Sequence, residues 1–280
     1  MSYQYGYVKA FQYGLMYKAN IDPKSVKINP IPIVNPPILS VTNKNHITIA
    51  IERAFADMAN SGALRSKKNL KKLKLKLLQN NNDQFGDWAG IFYTYMTNVL
   101  STQTFDVWHN NICNKILDDL YNASNNHATY GMASNNKATY YGMAQKIVNM
   151  AFKYLYCFDD ANIYYNKFAD CHMPLDSFTL KWFYSKVVPW YRRWYRLSNH
   201  IALPALLNNN NFWINWKSGI KTTAWSNLDK AEYEDIITLI RGYFANNPPI
   251  PPVTILEAEF VIWYEAKNGY SSKGNKKYNY

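Results

Sequence analysis

Apolar residues recur along this chain at spacings of three and four, the period of a helix with one buried face. Over 46–60 that spacing lines up Ile47, Ile51, Ala54, Phe55 and Met58. Over 64–79 it lines up Leu70, Leu73 and Leu77, and Asn80-Asn81-Asn82 ends the run. Further helices are predicted over 88–100, 105–122 and 142–158, the last with Ile147, Met150, Ala151, Tyr154 and Phe158 facing inward. Shorter ones follow at 161–170 and 176–187. Beyond a linker at 207–211, helices over 229–244 and 254–267 close the pattern, separated by Pro248, Pro249, Pro251 and Pro252. The predicted fold class is all-α.

Between residues 21 and 40 stand Pro23, Pro30, Pro32, Pro36 and Pro37. That density forbids a helix interior and predicts an extended strap over 1–45, lying across a two-lobed helical body over 46–268. Residues 269–280 are rich in Gly, Ser, Asn and Lys with no acid, and read as a mobile basic tail. One segment is duplicated: Ala123-Ser124-Asn125-Asn126-His127-Ala128-Thr129-Tyr130-Gly131-Met132-Ala133 recurs over 133–144 with one added tyrosine. A single short copy cannot build a solenoid, so it reads as a lengthened loop, whose closure entropy grows slowly with length.

Composition adds partners to this picture. With 48% hydrophobic and 16% aromatic residues, the chain can bury a real core. Its 31 Lys and Arg against 19 Asp and Glu give a net charge of +12, which steers it toward polyanions. No apolar run approaches the roughly 20 residues of a spanning helix, and Met1-Ser2-Tyr3-Gln4-Tyr5-Gly6 lacks the features of a signal peptide. Cys113, Cys157 and Cys171 are odd in number and form no CxxC pair. They suit a reducing cytoplasm, with no disulfide framework and no readable metal site. The expectation is a soluble cytoplasmic protein without a cofactor.

Three stretches carry candidate chemistry. Arg65, Lys67, Lys68, Lys71, Lys72, Lys74 and Lys76 fall within twelve residues with no acid between them. Such a stripe suits a phosphate backbone, where a plain solvated face would mix both signs. In Trp190-Tyr191-Arg192-Arg193-Trp194-Tyr195-Arg196, arginines interleaved with aromatics suit phosphate clamping and base stacking, although Trp190 and Trp194 at helical spacing equally suit core anchors. In the third, Tyr141-Gly142-Met143-Ala144-Gln145-Lys146-Ile147 runs a turn into an apolar helix and delivers a lysine to its start. Then His172-Met173-Pro174-Leu175-Asp176-Ser177 opens another helix. Both groups sit at helix N-termini, where free N–H groups favour anions. Asp176 also reads as an ordinary N-cap, Lys146 as a surface lysine and His172 as a structural histidine.

Gly142-x-x-x-Lys146 followed after 30 residues by Pro174-Leu175-Asp176 resembles the helix-hairpin-helix DNA glycosylases, and in its spacing the archaeal 8-oxoguanine branch. Leu100-Ser101-Thr102-Gln103-Thr104-Phe105-Asp106 looks like the Leu-Ser-x-Gln-x-x-Asp segment of the endonuclease III branch. The likeness covers about 80 residues. Ala144 stands where the second hairpin glycine is expected, the Leu-Pro-Gly lead-in is missing, and the cysteine cluster of the endonuclease III branch is absent.

The resemblance implies a two-lobed helical fold that flips a damaged or modified base out of duplex DNA and excises it, with or without strand cleavage at the abasic site. It implies Lys146 as nucleophile through a Schiff base and Asp176 as the carboxylate opposite the sugar cation. Gln103 becomes a wedge in the base stack, and Gly142 and Gln145 line the phosphate cradle. His172, Trp190 and Trp194 are candidates for the base pocket. Arg65, Lys67, Lys68, Lys71, Lys72, Arg192 and Arg193 are left to grip the DNA backbone. The alternatives are a non-catalytic nucleic-acid-binding protein, of host defence or viral interaction, and a module for an acidic protein partner.

Overall fold

The computed structural model describes residues 39–59, 73, 74, 77, 83–98, 103–123, 141–197, 225–248 and 253–269, with side chains through 193 and 266 in the segments ending at 197 and 269. Most of the strap, Leu70, the loop copies between 124 and 140, the linker at 207–211 and the tail beyond 269 lie outside the described residues. So do Arg65, Lys67, Lys68, Lys71, Lys72 and the side chain of Trp194.

Every described element is helical and none is a strand. Helix α1 spans Lys44–Met58, α2 Gln84–Thr97, α3 Phe105–Ala123 and α4 Tyr141–Leu155. A 3-10 turn over Ala161–Tyr164 leads into the one-turn α5, Tyr165–Phe168. Helix α6, Ser177–Trp182, widens into a π turn over Phe183–Val187 and continues as α7, Val188–Leu197. A 3-10 turn over Trp225–Asn227 precedes α8, Lys230–Asn246, and α9 covers Ile255–Gly269. No described helix is long and apolar enough to cross a membrane.

The predicted 176–187 helix therefore runs on to 197. Pro189 has no N–H for a carbonyl one turn back, which ordinarily ends or kinks a helix. Here the π turn immediately ahead of it absorbs the mismatch and the chain stays helical. Elsewhere the starts follow local capping chemistry. The Asn43 side chain accepts the Asn45 and His46 N–H groups, and Asp229 with Glu232 forms a capping box on α8. Thr254 and Glu257 exchange side-chain and backbone bonds in the same way at α9. The last residues of the strap are tied down: Leu39 exchanges bonds with Asp159, and Val41 N donates to Asp160.

Helix α4 occupies the middle. All of its residues, Tyr141 to Leu155, are buried, by α1 and α3 on two sides and by α8 and the 225–227 turn on others. Its apolar side carries Phe152, which meets Phe92 at 5.1 Å, Phe105 and Trp108 at 5.4 Å and Tyr95 at 5.8 Å between ring centroids. That aromatic hub joins α2, α3 and α4. Phe152→Ala should remove the shared partner of four rings and leave a cavity, lowering stability by about 3–5 kcal/mol in urea unfolding. A loss below about 1 kcal/mol would show that the hub is dispensable.

Candidate functional site

The side of α4 next to the hub is polar, although it too is buried. Gln145, Lys146, Asn149 and Lys153 fall within an arc of about 100° at 3.6 residues per turn. The first three meet the 173–176 segment and the fourth meets α9.

Gln145 and Asn149 grip the segment ahead of α6. Gln145 Nε2 donates to the Leu175 carbonyl at 3.2 Å, and its Oε1 accepts Leu175 N–H at 3.4 Å. Asn149 Nδ2 donates to the Met173 carbonyl at 3.3 Å and to Gln145 Oε1 at 3.0 Å. These bonds place the next residue, Asp176, where it starts α6 as a true N-cap. Its Oδ1 accepts from Phe178 and Thr179 N–H, while Thr179 Oγ1 accepts Asp176 N–H.

The other carboxylate oxygen, Asp176 Oδ2, lies 3.9 Å from Lys146 Nζ, both side chains being nearly inaccessible. The N-cap reading and the ion-pair reading of Asp176 therefore hold together. Over the same amine, at 4.3 Å, lies the ring of Trp225. Burial pushes the Lys146 ammonium below the usual lysine range, opposed by Asp176, Asp57 and Glu259. Gly142 makes the close approach of Trp225 feasible. Its N–H donates to Leu228 O at 2.8 Å, and a Cβ at this position would stand 1.9 Å from Trp225 O. Gly142 and Gln145, expected beside phosphate, are thus engaged inside the protein.

Lys153 completes the stripe, ion-paired with Glu259 of α9 and faced by the Phe260 and Trp263 rings at 4.8 and 5.1 Å. Burial pushes the Glu259 carboxyl up to about 7.

A second network leads from Asn149 outward. His109 Nε2 contacts Asn149 Oδ1 at 3.0 Å, Asn149 Nδ2 donates to Tyr233 OH at 2.9 Å, and Tyr233 OH meets His172 Nδ1 at 2.7 Å. His172 Nε2 reaches Asp106 Oδ1 at 2.8 Å, and Arg241 forks onto both Asp106 oxygens at 2.7 Å. One proton assignment satisfies the chain: Tyr233 donates to Nδ1 and His172 Nε2–H donates to Asp106. The Arg241 guanidinium, with His172, holds the Asp106 carboxyl well below the carboxylate range.

The three segments that carry the sequence resemblance thus converge. Asp106 touches His172, Asn149 holds Met173, Gln145 holds Leu175, and Lys146 faces Asp176. Gln103 is exposed just ahead of α3, and Arg193 is exposed while Arg192 is half-buried on α7. Trp190 is half-buried and edge-on to Tyr243 of α8 at 5.7 Å. Of the basic run, Lys74 pairs with Glu52 of α1 at 2.7 Å, across a partly exposed contact. Sequence reasoning missed Trp225, Lys153, Glu259, Tyr233 and Arg241. Among the described residues no cluster of three or more His, Cys, Asp or Glu is placed to hold a metal ion.

Burial holds both His109 and His172 below the ordinary histidine range. The unfolded chain therefore binds protons near pH 6.5 that the folded one refuses, so their contribution is intact above pH 6.5 and is lost as pH falls below it. The limit is about 1.4 kcal/mol per pH unit for each histidine. Glu259, raised to about 7, acts in the opposite direction, its contribution being present at pH 4.5 and lost by pH 7. Urea unfolding should give lower stability at pH 5.5 than at 7.5, and His109→Gln should reduce that difference. A His109→Gln variant with the same pH difference as the wild type would mean that His109 is not held neutral.

No protein-family model, curated protein or solved structure matches this chain.

Proposed function

We propose that this chain is a DNA glycosylase that flips a damaged or modified base from the duplex and excises it, with the Lys146 amine as nucleophile. The observation that carries the reading is the Lys146 Nζ to Asp176 Oδ2 distance of 3.9 Å inside a water-poor cluster. A nucleophilic lysine needs a lowered proton affinity, and burial lowers that of Lys146. Loss of a base leaves positive charge on the sugar, and a preorganised carboxylate beside the nucleophile stabilises it. Asp176 is preorganised by its two backbone donors, which fix one oxygen and leave the other facing the amine. Amine attack at C1′ expels the base, ring opening gives a Schiff base, and cleavage of the DNA strand is an accompanying reaction.

One observation favours a second reading, a non-catalytic nucleic-acid-binding protein. Lys146 and Asp176 are only 4% and 8% exposed, with Trp225 against the amine, and such a pair also serves as a structural core contact. Binding through the basic surface needs no access to it.

Borohydride should trap a covalent adduct on duplexes carrying an excisable base or an abasic site, and peptide mapping should place it on Lys146 and not on Lys153. Lys146→Gln should abolish trapping with little loss of DNA affinity. Asp176→Asn preserves an N-cap side chain while removing the charge, so base release should slow by about two orders of magnitude or more. The substrate panel spans oxidised, alkylated, deaminated and glucosylated bases. No release and no trapping across it would leave the binding protein as the reading.

Either reading makes DNA affinity fall with salt. Neutralising Lys67, Lys68, Lys71 and Lys72 together should flatten the slope of log affinity against log salt by roughly one unit per lost phosphate contact. Indistinguishable slopes for wild type and variant would remove that segment from the interface.

A further inference from the structure

Lys146 must lose a proton before it can attack, and Asp176 is needed as a carboxylate, so the proton requires another destination. Helices α4 and α9 supply one. Lys153 stands seven residues beyond Lys146, two turns along the same face of α4, and its ion-pair partner Glu259 is fully buried. Glu259 presents Oε2 to Lys153, while its Oε1 is buried with no hydrogen-bond partner among the described residues. A buried carboxylate oxygen without a donor is costly, and a proton on it removes that cost.

We propose that Glu259 is the internal proton acceptor for Lys146, an inference that rests on the nucleophilic role given to that lysine. The Lys146 ammonium and the Glu259 carboxylate become a neutral amine and a neutral carboxylic acid. One N–H bond breaks, its electron pair stays on Nζ, and an O–H bond forms on Oε1. Asp57 being paired with Arg53, the cluster before transfer holds two cations, Lys146 and Lys153, and two anions, Asp176 and Glu259. After transfer it holds Lys153 and Asp176 alone. Net charge is zero in both states, so no uncompensated ion appears in the core. Loss of the same proton to solvent would leave the cluster with an excess negative charge.

The electrostatic surroundings agree. Lys146 is faced by Asp176, Asp57, Glu259 and Lys153, and Glu259 by Lys153, Asp176 and Lys146. Burial moves the two groups toward each other, the carboxyl up to about 7 and the ammonium down. Glu259 thus acts through Lys146 and is a positioning residue for its proton.

The test is an NMR titration of the full chain labelled with 13C-lysine and 13C-glutamate, the Lys146 and Glu259 signals being assigned by their absence in Lys146→Gln and Glu259→Gln. In the wild type, the Lys146 Cε and Glu259 Cδ signals should report a shared proton step near neutral pH. Lys153→Met with Glu259→Gln removes the buried pair together and keeps the core charge-balanced. In that variant the neutral fraction of Lys146 at pH 7 should fall about tenfold, and borohydride trapping on an abasic-site duplex should slow about tenfold with its pH profile displaced upward. A folded double variant whose Lys146 titration stays within twofold of wild type overturns the inference. If the variant fails to fold, the wild-type titration decides alone, because a Glu259 that stays ionised from pH 5.5 to 8.5 is no acceptor. Shared titration with no trapping by the wild type keeps the proton exchange and discards the glycosylase. Trapping with an unmoved Lys146 titration keeps the glycosylase and discards Glu259.

Discussion

Buried charge is the constraint around which this molecule is arranged. Helix α4 has no exposed residue, yet four of its side chains are polar or charged and share one face. An unpaired ion in such surroundings destabilises by about 3–5 kcal/mol, so every neighbour of that face must arrive carrying the matching group. The start of α6 brings Asp176, α9 brings Glu259, α8 brings Tyr233, and the backbone of 173–175 brings carbonyls for Gln145 and Asn149. A slip of one residue in any of these elements would part a buried donor from its acceptor. The polar stripe thus sets register, while the aromatic hub beside it on α4 supplies non-directional packing.

The same constraint links the interior to the surface. Tyr233, His172 and Asp106 extend the Asn149 network to Arg241, so α3, α4, α8 and the segment before α6 share one hydrogen-bonded chain. Its inner members, His109 and Tyr233, are neutral because burial opposes their charged forms. Its outer end carries the full charges, where Asp106 and Arg241 are partly solvated. Charge increases outward along this chain, whereas the Lys146 and Lys153 stripe keeps its ion pairs buried.

Much of this was legible in the sequence, for reasons that differ by element. The helices at 44–58, 105–123, 230–246 and 255–269 follow their predicted spans closely; the first three alternate a buried face with an exposed one, and the last is bounded by the proline-rich segment ahead of it. Lys146 and Asp176 were legible as candidates from short motifs, and the fold brings them together. What they touch was not legible. Glu259 lies over one hundred residues from Lys153 in a run, Ile255-Leu256-Glu257-Ala258-Glu259-Phe260-Val261, whose apolar context was the one available sign that its acids are buried. Lysines at i and i+7, in line with Gln145 and Asn149 on a helix otherwise rich in apolar residues, were the matching sign on α4. The acid-free appearance of 65–76 is a statement about sequence neighbours only, since Lys74 finds Glu52 on another helix. The helix predicted over 176–187 runs on to 197 through a π turn, which cannot be recognised from residue preferences.

The floor and the cover of the cluster are held by different kinds of contact. Asp176 is fixed from below by the Gln145 and Asn149 clamps, two N-cap bonds and the Thr179 hydroxyl, all within α4 and α6. Trp225 covers Lys146 from a single 3-10 turn, attached to α4 through the Gly142 to Leu228 hydrogen bond and the contact with the amine. A hydrogen bond and a cation–π contact of this kind are each worth about 1 kcal/mol, whereas the floor adds several such bonds to a buried ion pair. Trp225 and Leu228 are themselves buried in the core, so apolar packing adds to these two attachments. The absence of a Cβ at Gly142 is what lets that turn close so tightly. Glycine at this position therefore serves the packing of the Trp225 turn over Lys146, where the sequence alone pointed to contact with phosphate.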